Sequence, residues 1–366
     1  MSGLVVVARA ADPERVVQSL DDLPDAGGIS FRTARRALLT FQKQEIDLRI
    51  APPDEFGTVL FTSTGPADHV AAVLGRRGRR LSASEADVYE HAGLTYLPPE
   101  LRDRPDALEL AAERVTPPLV VQRDIRGDLH MHTTASDGQD SLETMVRAAA
   151  ALGYEYVAIT DHSEHSAASR TVAPHELERQ HDDIRAIRER HPEIAILHGI
   201  EVDILADGSL DCPETLLSRL DIVLASLHDS HGHDRARLTE RCLRAIRHPL
   251  VSILTHPSNQ LVGSRPGYDM DYGRIYEAAA ATGTILEIDG APSHLDLDSE
   301  RARAAVQAGV MLSIDSDCHR AAALGRQMQF GVGTARRAGV MTSQVANTRP
   351  LPDLRRILAR KRGPSC

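Results

Sequence analysis

Beyond residue 120 the chain alternates short apolar runs with longer amphipathic stretches. The runs are GDLHMH (127–132), YVAIT (156–160), IAILH (194–198), DIVLAS (221–226), VSILT (251–255), TILEI (284–288) and VMLSI (310–314). Their length and spacing predict strands. Between them, Ser141–Leu152, Pro174–His191, Arg235–Arg247 and Tyr272–Thr282 have the pattern of amphipathic helices. Asp140 and Glu143 predict a capping box at the start of the first of these, and Gly153 follows its end. Seven strands alternating with helices predict an α/β fold with a parallel sheet, closed most naturally into a barrel. An open doubly wound sheet is the alternative. No Gly-rich phosphate loop follows the first strand, which argues against a nucleotide-binding unit.

The pattern before Thr116-Pro117-Pro118 is shorter and mixed. Leu4–Ala8 and Glu45–Ile50 predict strands, and Ala67–Leu74 and Ser84–His91 predict helices. Tyr96 to Arg102 is a proline-marked turn into a helix. No internal repeat is present. The expected domains are therefore 1–116, a barrel over 117–348, and a basic tail over 349–366. In that tail Arg355, Arg356 and Arg360-Lys361-Arg362 read as a solvated helix end.

Composition narrows the function classes. With 366 residues, 42% hydrophobic and 26% charged, the chain has the make-up of an ordinary globular protein of two domains. No apolar run approaches the roughly 18 residues that span a membrane. The apolar start has no basic region before it, so no signal peptide and a cytoplasmic location are expected. Cys212, Cys242, Cys318 and Cys366 form no CxxC pair and are expected to be reduced. A net charge of −10 opposes tight nonspecific binding to nucleic acid, although bound divalent cations would offset several carboxylates. Nothing in the sequence points to a protein partner.

The candidate chemistry lies just past each apolar run. His130 and His132 close the first run, two apart and thus on one face of a strand. Asp137 comes next, in a Ser-Asp-Gly loop. Asp161-His162, Glu201, His228 and His256 follow the next four runs, and Asp317 and His319 follow the last. Residues just past barrel strands converge on the mouth where such folds place their sites. Six imidazoles (His130, His132, His162, His228, His256 and His319) and three carboxylates (Asp137, Glu201 and Asp317) are too many for one ion of four to six ligands. They suit two or three, with Glu201 as the bridge. Metals about 4 Å apart stabilise both the attacking and the leaving oxygens of a phosphoryl transfer. His69, His91, His175, His181 and His191 read as surface or core groups, and Cys318 as a small packed residue. No Ser-His-Asp or reactive Cys setting competes as a nucleophile.

The motifs GDLHMHTTASDG, AITDHS, GIEVDILADGSLD, ASLHDS, ILTHP, LEID-x-x-P and DSDCH resemble the polymerase-and-histidinol-phosphatase (PHP) domain. The resemblance covers roughly Asp124 to Asn347. It implies a distorted seven-stranded (β/α) barrel holding three divalent metals per chain, with Mn2+ favoured over Zn2+ or Fe2+. It assigns His130, His132, Glu201 and Asp317 to the first metal, Glu201, His228 and His256 to the second, and Asp137, His162 and His319 to the third. Glu201, Asp317 and His132 would be the catalytic centre. IDLRI, FTSTGPADHVAAVLGRRG and YLPPELR in the first 125 residues resemble the palm and thumb of bacterial family X DNA polymerases. That resemblance implies a small α+β polymerase remnant joined to a manganese-dependent 3′–5′ exonuclease.

The departures from that pattern bear on substrate. Of the three palm aspartates only Asp47 has a counterpart, so no polymerase activity is expected. The thumb is shortened between Leu81 and Glu85. The usual Gly-Arg after His256 reads Asn259-Gln260, and the usual Asn and Arg near the mouth are Asp289 and His294, the expected substrate-binding pair. DNA 3′ ends are the expected substrate. A small phosphomonoester, as in histidinol phosphatase, is the alternative, and a non-catalytic DNA-repair module is a third reading. Intact ligands argue against the third, as do aromatics at only 3% with no Trp, which leave little for base stacking.

Overall fold

The computed structural model describes residues 4–23, 26–78, 80–113, 118–166 and 168–362. The starting residues 1–3, Thr116, Pro117 and Cys366 lie outside the described residues. Two compact units divide the chain, Met1–Pro117 and Pro118–Cys366.

The first unit is α+β. Strands β1 (Leu4–Arg9), β2 (Ala26–Thr33), β3 (Arg36–Phe41) and β4 (Gln44–Ala51) form one sheet in the order β1-β4-β3-β2. β1 is parallel to β4 and the other pairs are antiparallel. Helix α1 (Pro13–Gln18) follows β1, and α2 (Phe56–Thr64), α3 (Ala67–Gly75), α4 (Glu85–Ala92) and α5 (Ala107–Ala112) follow the sheet. Ser84 and Asp87 cap α4 reciprocally, as the Ser84–His91 pattern leads one to expect of a helix start. The buried Arg102 guanidinium pairs with Glu85 at 2.6 Å and lies within 5.8 Å of the Phe61, Tyr89 and Tyr96 rings. A cation this deeply buried is stable only when paired and stacked in this way.

The second unit is the barrel. Its strands are β5 (Gly127–Asp128), β6 (Tyr156–Ile159), β7 (Ala195–Asp203), β8 (Ile222–Ser226), β9 (Ile253–Leu254), β10 (Ile285–Asp289) and β11 (Leu312–Asp315). All pairs are parallel, and the spatial order follows the chain order from β5 to β11. A doubly wound sheet would reverse direction partway, so the order excludes that alternative. Helices α6 (Leu142–Ala151), α7 (Pro174–Arg190), α8 (Glu214–Leu217), α9 (Arg235–Arg247), α10 (Tyr272–Thr282), α11 (Ser299–Gln307) and α12 (Leu324–Ala338) are interleaved, and α13 (Leu351–Ala359) ends the unit.

Alternation along the strands divides the apolar residues between two cores. Val157, Ile196, Val223 and Leu254 join the core shared with the helices. Tyr156, Leu197, Leu224, Ile253 and Ile285 form a second core with Leu354 and Leu358 of α13. Residues 349–362 are therefore not a solvated tail. The arginines of α13 face water while Leu354 and Leu358 are buried, and truncating the fully buried Leu354 to Ala would cost about 2–5 kcal/mol. Moving along the same inward face, Leu197 gives way to Glu201 and Ile285 to Glu287. The barrel interior thus changes from apolar at one end to charged at the other.

Two local expectations are corrected. GDLHMH is a strand only over Gly127–Asp128. The backbone N–H groups of Leu129, His130 and Met131 donate to the side chains of Asp315, Asp128 and Thr160, so they are lost to a ladder. Ser141, not Asp140, caps α6 by accepting from Thr144 N. Asp140 instead accepts from Ala321 N.

Candidate metal centre

The barrel closes where its first and last strands meet, and this seam brings the first and last ligand pairs together. Met131 bridges Cys318, with His132 N donating to Cys318 O at 2.9 Å. The Asn347 side chain spans the seam, donating to Gly127 O and Ile314 O and accepting from Ile314 N. Asp128 accepts from Ser316 N, and Asp315 from Leu129 N. Burial pushes the Asp128 carboxyl up to about 6.

All nine predicted ligands gather at this mouth. His132 Nε2 lies 3.1 Å from His130 Nε2 and 3.0 Å from Asp317 Oδ1. Glu201 Oε2 is 3.4 Å from His130 Nε2, 3.6 Å from His132 Nε2 and 2.7 Å from His162 Nδ1. Its other oxygen is 2.8 Å from His256 Nε2 and 3.2 Å from His228 Nε2. Asp137 Oδ1 is 3.1 Å from His319 Nε2 and 3.5 Å from His162 Nε2. Four overlapping groups result: His132, Asp137, His162 and His319; His130, Glu201 and His256; His130, His132 and Asp317; His162, Glu201 and His228. The grouping is less separable than the motifs imply, because His162 faces both Glu201 and Asp137.

This donor set fits divalent cations. His319 Nδ1 donates to the carbonyl of Asp317 at 3.0 Å, and a carbonyl can only accept. His130 Nδ1 is held by Glu287 at 2.7 Å, and His228 Nδ1 by Asp203 at 2.6 Å. With a cation bound, the outer nitrogen of each of the three rings would keep its proton and Nε2 would present a lone pair inward. These lone pairs meet the oxygens of Glu201 and Asp137, and Glu201 is fully buried with neither oxygen in a hydrogen bond. Lone pairs facing lone pairs at such distances repel unless a cation lies between them.

The electrostatics agree. Burial opposes protonation of His228, but the Glu201 and Asp203 carboxylates outweigh it and push the imidazole up to about 10. His319 goes up to about 9, with Asp137 and Asp317 overcoming burial. The Glu201 and Asp317 carboxyls are held well below their usual range, the surrounding histidines outweighing burial. Positive charge is demanded at the centre, by protons or by metal ions. The backbone is also set for the site: His256 and Asp317 have φ of 25° and 48°, a region that costs a non-glycine residue roughly 1–3 kcal/mol.

Several residues behind the ligands went unmarked in the sequence pattern. Glu287 and Asp203 orient His130 and His228, and both signals were present: a lone acid inside the apolar TILEI, and a second acid two residues after Glu201 on the same strand face. Asp161, although next to His162, joins no ligand group. Its buried carboxylate accepts from Thr133 N and Oγ1, Ser136 N and Oγ, and Gln180 Nε2, at 2.5 to 3.2 Å. It thereby fixes the loop that carries Asp137. Gly138 completes that turn, since a Cβ there would lie 2.6 Å from the His132 carbonyl carbon. Asp289 is fully buried at the end of β10, and His294 follows on the next loop, its ring 5.5 Å from that of His256. Cys318 is buried, with its thiol pushed up to about 12 by burial, in keeping with a packing role. Cys212, Cys242 and Cys318 are free thiols. His69 is buried against Tyr89 at 2.7 Å. No helix among the described residues is long and apolar enough to cross a membrane.

Comparison with known proteins bears on the family. The PHP domain family matches residues 128–279. The DNA polymerase/3′-5′ exonuclease PolX of Bacillus subtilis (strain 168) is 34% identical over 95% of this chain, which spans 64% of that protein's length. A protein named as a probable phosphatase in Caldanaerobacter subterraneus subsp. tengcongensis is 32% identical over 54% of this chain and 78% of its own. Among solved structures, a histidinol phosphate phosphatase of Lactococcus lactis, complexed with zinc, L-histidinol and phosphate, aligns with 59% of this chain and 94% of its own, at 16% identity and a TM-score of 0.45. With that barrel, the family match and the likeness to PolX and to the probable phosphatase, the chain belongs to the PHP domain family of metal-dependent phosphoesterases.

Proposed function

We propose that the barrel hydrolyses phosphodiesters at DNA 3′ ends. The observation that carries this reading is the extent of the likeness to PolX. It runs over 95% of the chain and so through both units, whereas the probable phosphatase matches 54%. In this reading His130, His132, Glu201 and Asp317 hold one cation, Glu201, His228 and His256 a second, and Asp137, His162 and His319 a third. Bound divalent ions, Mn2+ above all, would supply an activated water and Lewis acidity toward the phosphoryl oxygens. Glu201 would hold two of the cations, His132 and Asp317 would complete the catalytic centre, and the loop fixed by Asp161 holds Asp137 in place. Asp289 and His294 stand on the substrate side.

In this reading the first unit contributes no polymerase chemistry through its one palm-like aspartate. Asp47, the one palm-like aspartate, is bound by Arg36 at 2.7 and 3.1 Å and by Arg49 at 2.8 and 3.1 Å. Its hydrogen bond to Arg36 outweighs burial and lowers its carboxyl further. A carboxylate already neutralised by two guanidiniums is a poor ligand for Mg2+.

A second reading, a phosphatase of small phosphomonoesters, is favoured by Asp289 and His294, which supply no fixed cation for a long polyanion. The test compares 3′-labelled single-stranded DNA, 3′-phosphorylated DNA and p-nitrophenyl phosphate with Mn2+. Stepwise release of nucleotides from the 3′ end is expected. Hydrolysis of the small monoester with none of either DNA would overturn the reading in favour of the second.

A further inference from the structure

The mouth contains one ligand group beyond those of the three-metal assignment. Asp289, His294 and Asp317 each place a ligand atom within 4.8 Å of the other two. Asp289 is fully buried; its Oδ1 accepts from Ala291 N at 2.6 Å, but its Oδ2 has no hydrogen-bond partner. The Nδ1 of His294 is likewise buried and unpartnered. A bare carboxylate oxygen and a bare imidazole nitrogen, both buried, are costly unless something positive joins them. Asp317 meets the first metal's histidines through Oδ1, 3.0 Å from His132 Nε2. A carboxylate has a second oxygen to give, so Asp317 can serve two ions at once.

We propose that Asp289, His294 and Asp317 form a fourth divalent-cation site, at the edge of the three-metal cluster and bridged to it by Asp317. The donor set, two carboxylates and one imidazole, suits Mn2+, Fe2+ or Zn2+ and leaves coordination positions open to water or a phosphate oxygen. The two positions are also those where the sequence departs from the Asn and Arg of the pattern it resembles. The exchange removes one positive charge and adds one negative charge, a deficit that one divalent cation restores. Both replacements supply a ligand, and both fall in one cluster. An ion held there would present to phosphate the charge that the arginine no longer supplies. That role rests on the activity proposed above; the site itself does not.

The test counts metal in the full chain. The protein is stripped with chelator, reloaded with excess Mn2+ and freed of loose ions by gel filtration. Bound manganese is then measured per chain by mass spectrometry, for wild type, Asp289→Asn, His294→Arg and the double variant. Each variant is expected to hold one Mn2+ fewer than wild type, and the double variant no fewer than either single one. Equal counts in wild type and all variants overturn the proposal. Loss of two or more ions in the singles also overturns it, because these residues would then serve the first metal. If Asp289→Asn does not fold, His294→Arg on its partly exposed loop decides alone. No substrate enters the count, so the site and the proposed activity stand or fall separately.

Discussion

Glu287→Gln should weaken metal binding without touching any proposed ligand. Glu287 is fully buried, and its two oxygens hold opposite sides of the cluster. Oε1 takes His130 Nδ1 at 2.7 Å, while Oε2 takes the backbone N–H of His256 at 2.9 Å and the Thr255 hydroxyl. Glutamine has the same shape but replaces one acceptor with a donor. With its NH2 toward His130, two donors face each other. The ring must then move its proton to Nε2, which removes the lone pair that faces Asp317 and Glu201. With the NH2 toward His256, a buried backbone N–H loses its acceptor. The first outcome takes a lone pair from the cluster and the second strands a buried donor; either costs about 1–3 kcal/mol, which at 1.4 kcal/mol per decade is roughly 5- to 150-fold in affinity. Isothermal titration of the chelator-stripped protein with Mn2+ should show a Kd raised by that factor. Activity should be largely recovered at saturating Mn2+, because the ligands remain. A titration curve and a metal dependence that superimpose on wild type would refute the assignment of Glu287 as the residue orienting His130.

Other outcomes follow from the same geometry. Glu201→Gln should keep the fold but lose on the order of a thousandfold in rate after chelation and restoration of Mn2+, several kcal/mol of charge stabilisation being removed; normal turnover would sink the bridging role. Asp161→Asn should lower stability by about 1.5–3 kcal/mol and raise the Mn2+ concentration needed for full activity, since the Asp137 loop loses its anchor; an unchanged melting curve and an unchanged Mn2+ requirement would contradict this. His198, buried beside His181, is pushed down to about 4 by burial and by that neighbour. The unfolded chain therefore binds the extra proton between pH 6.5 and 4, so stability is lost as pH falls through that window, by at most about 3 kcal/mol. The decline in denaturant-measured stability should be shallower in His198→Met, and parallel curves would exclude His198 as a source. Primer extension with Mg2+ or Mn2+ and all four nucleotides should give no product; templated extension that disappears in Asp47→Ala would show a working polymerase.

The candidate ligands that gather at the mouth were legible in the sequence because a barrel site has a one-dimensional signature. Its side chains must stand at the C-terminal ends of successive strands, so His130 and His132 close an apolar run and His162, Glu201, His228, His256, Asp317 and His319 follow one within a few residues. The parallel α/β class was legible for a related reason, since strands buried on both faces leave continuous apolar runs between helices. What the pattern could not contain was any relation between residues distant along the chain. Closure rests on a few bonds between the segments at β5 and β11, and side chains of Asp128, Thr160 and Asp315 take the N–H groups that would have lengthened the first strand. Glu287 lies 157 residues from the His130 it orients. The pairing of Asp47 with Arg36 across an antiparallel register, the five donors gathered on Asp161 and the meeting of Asp289 with His294 and Asp317 are likewise properties of three-dimensional proximity. Local spacing decides which side chains can face the mouth. Only the closed ring of strands decides which of them meet, and hence which lone pairs face each other and which carboxylates are already satisfied.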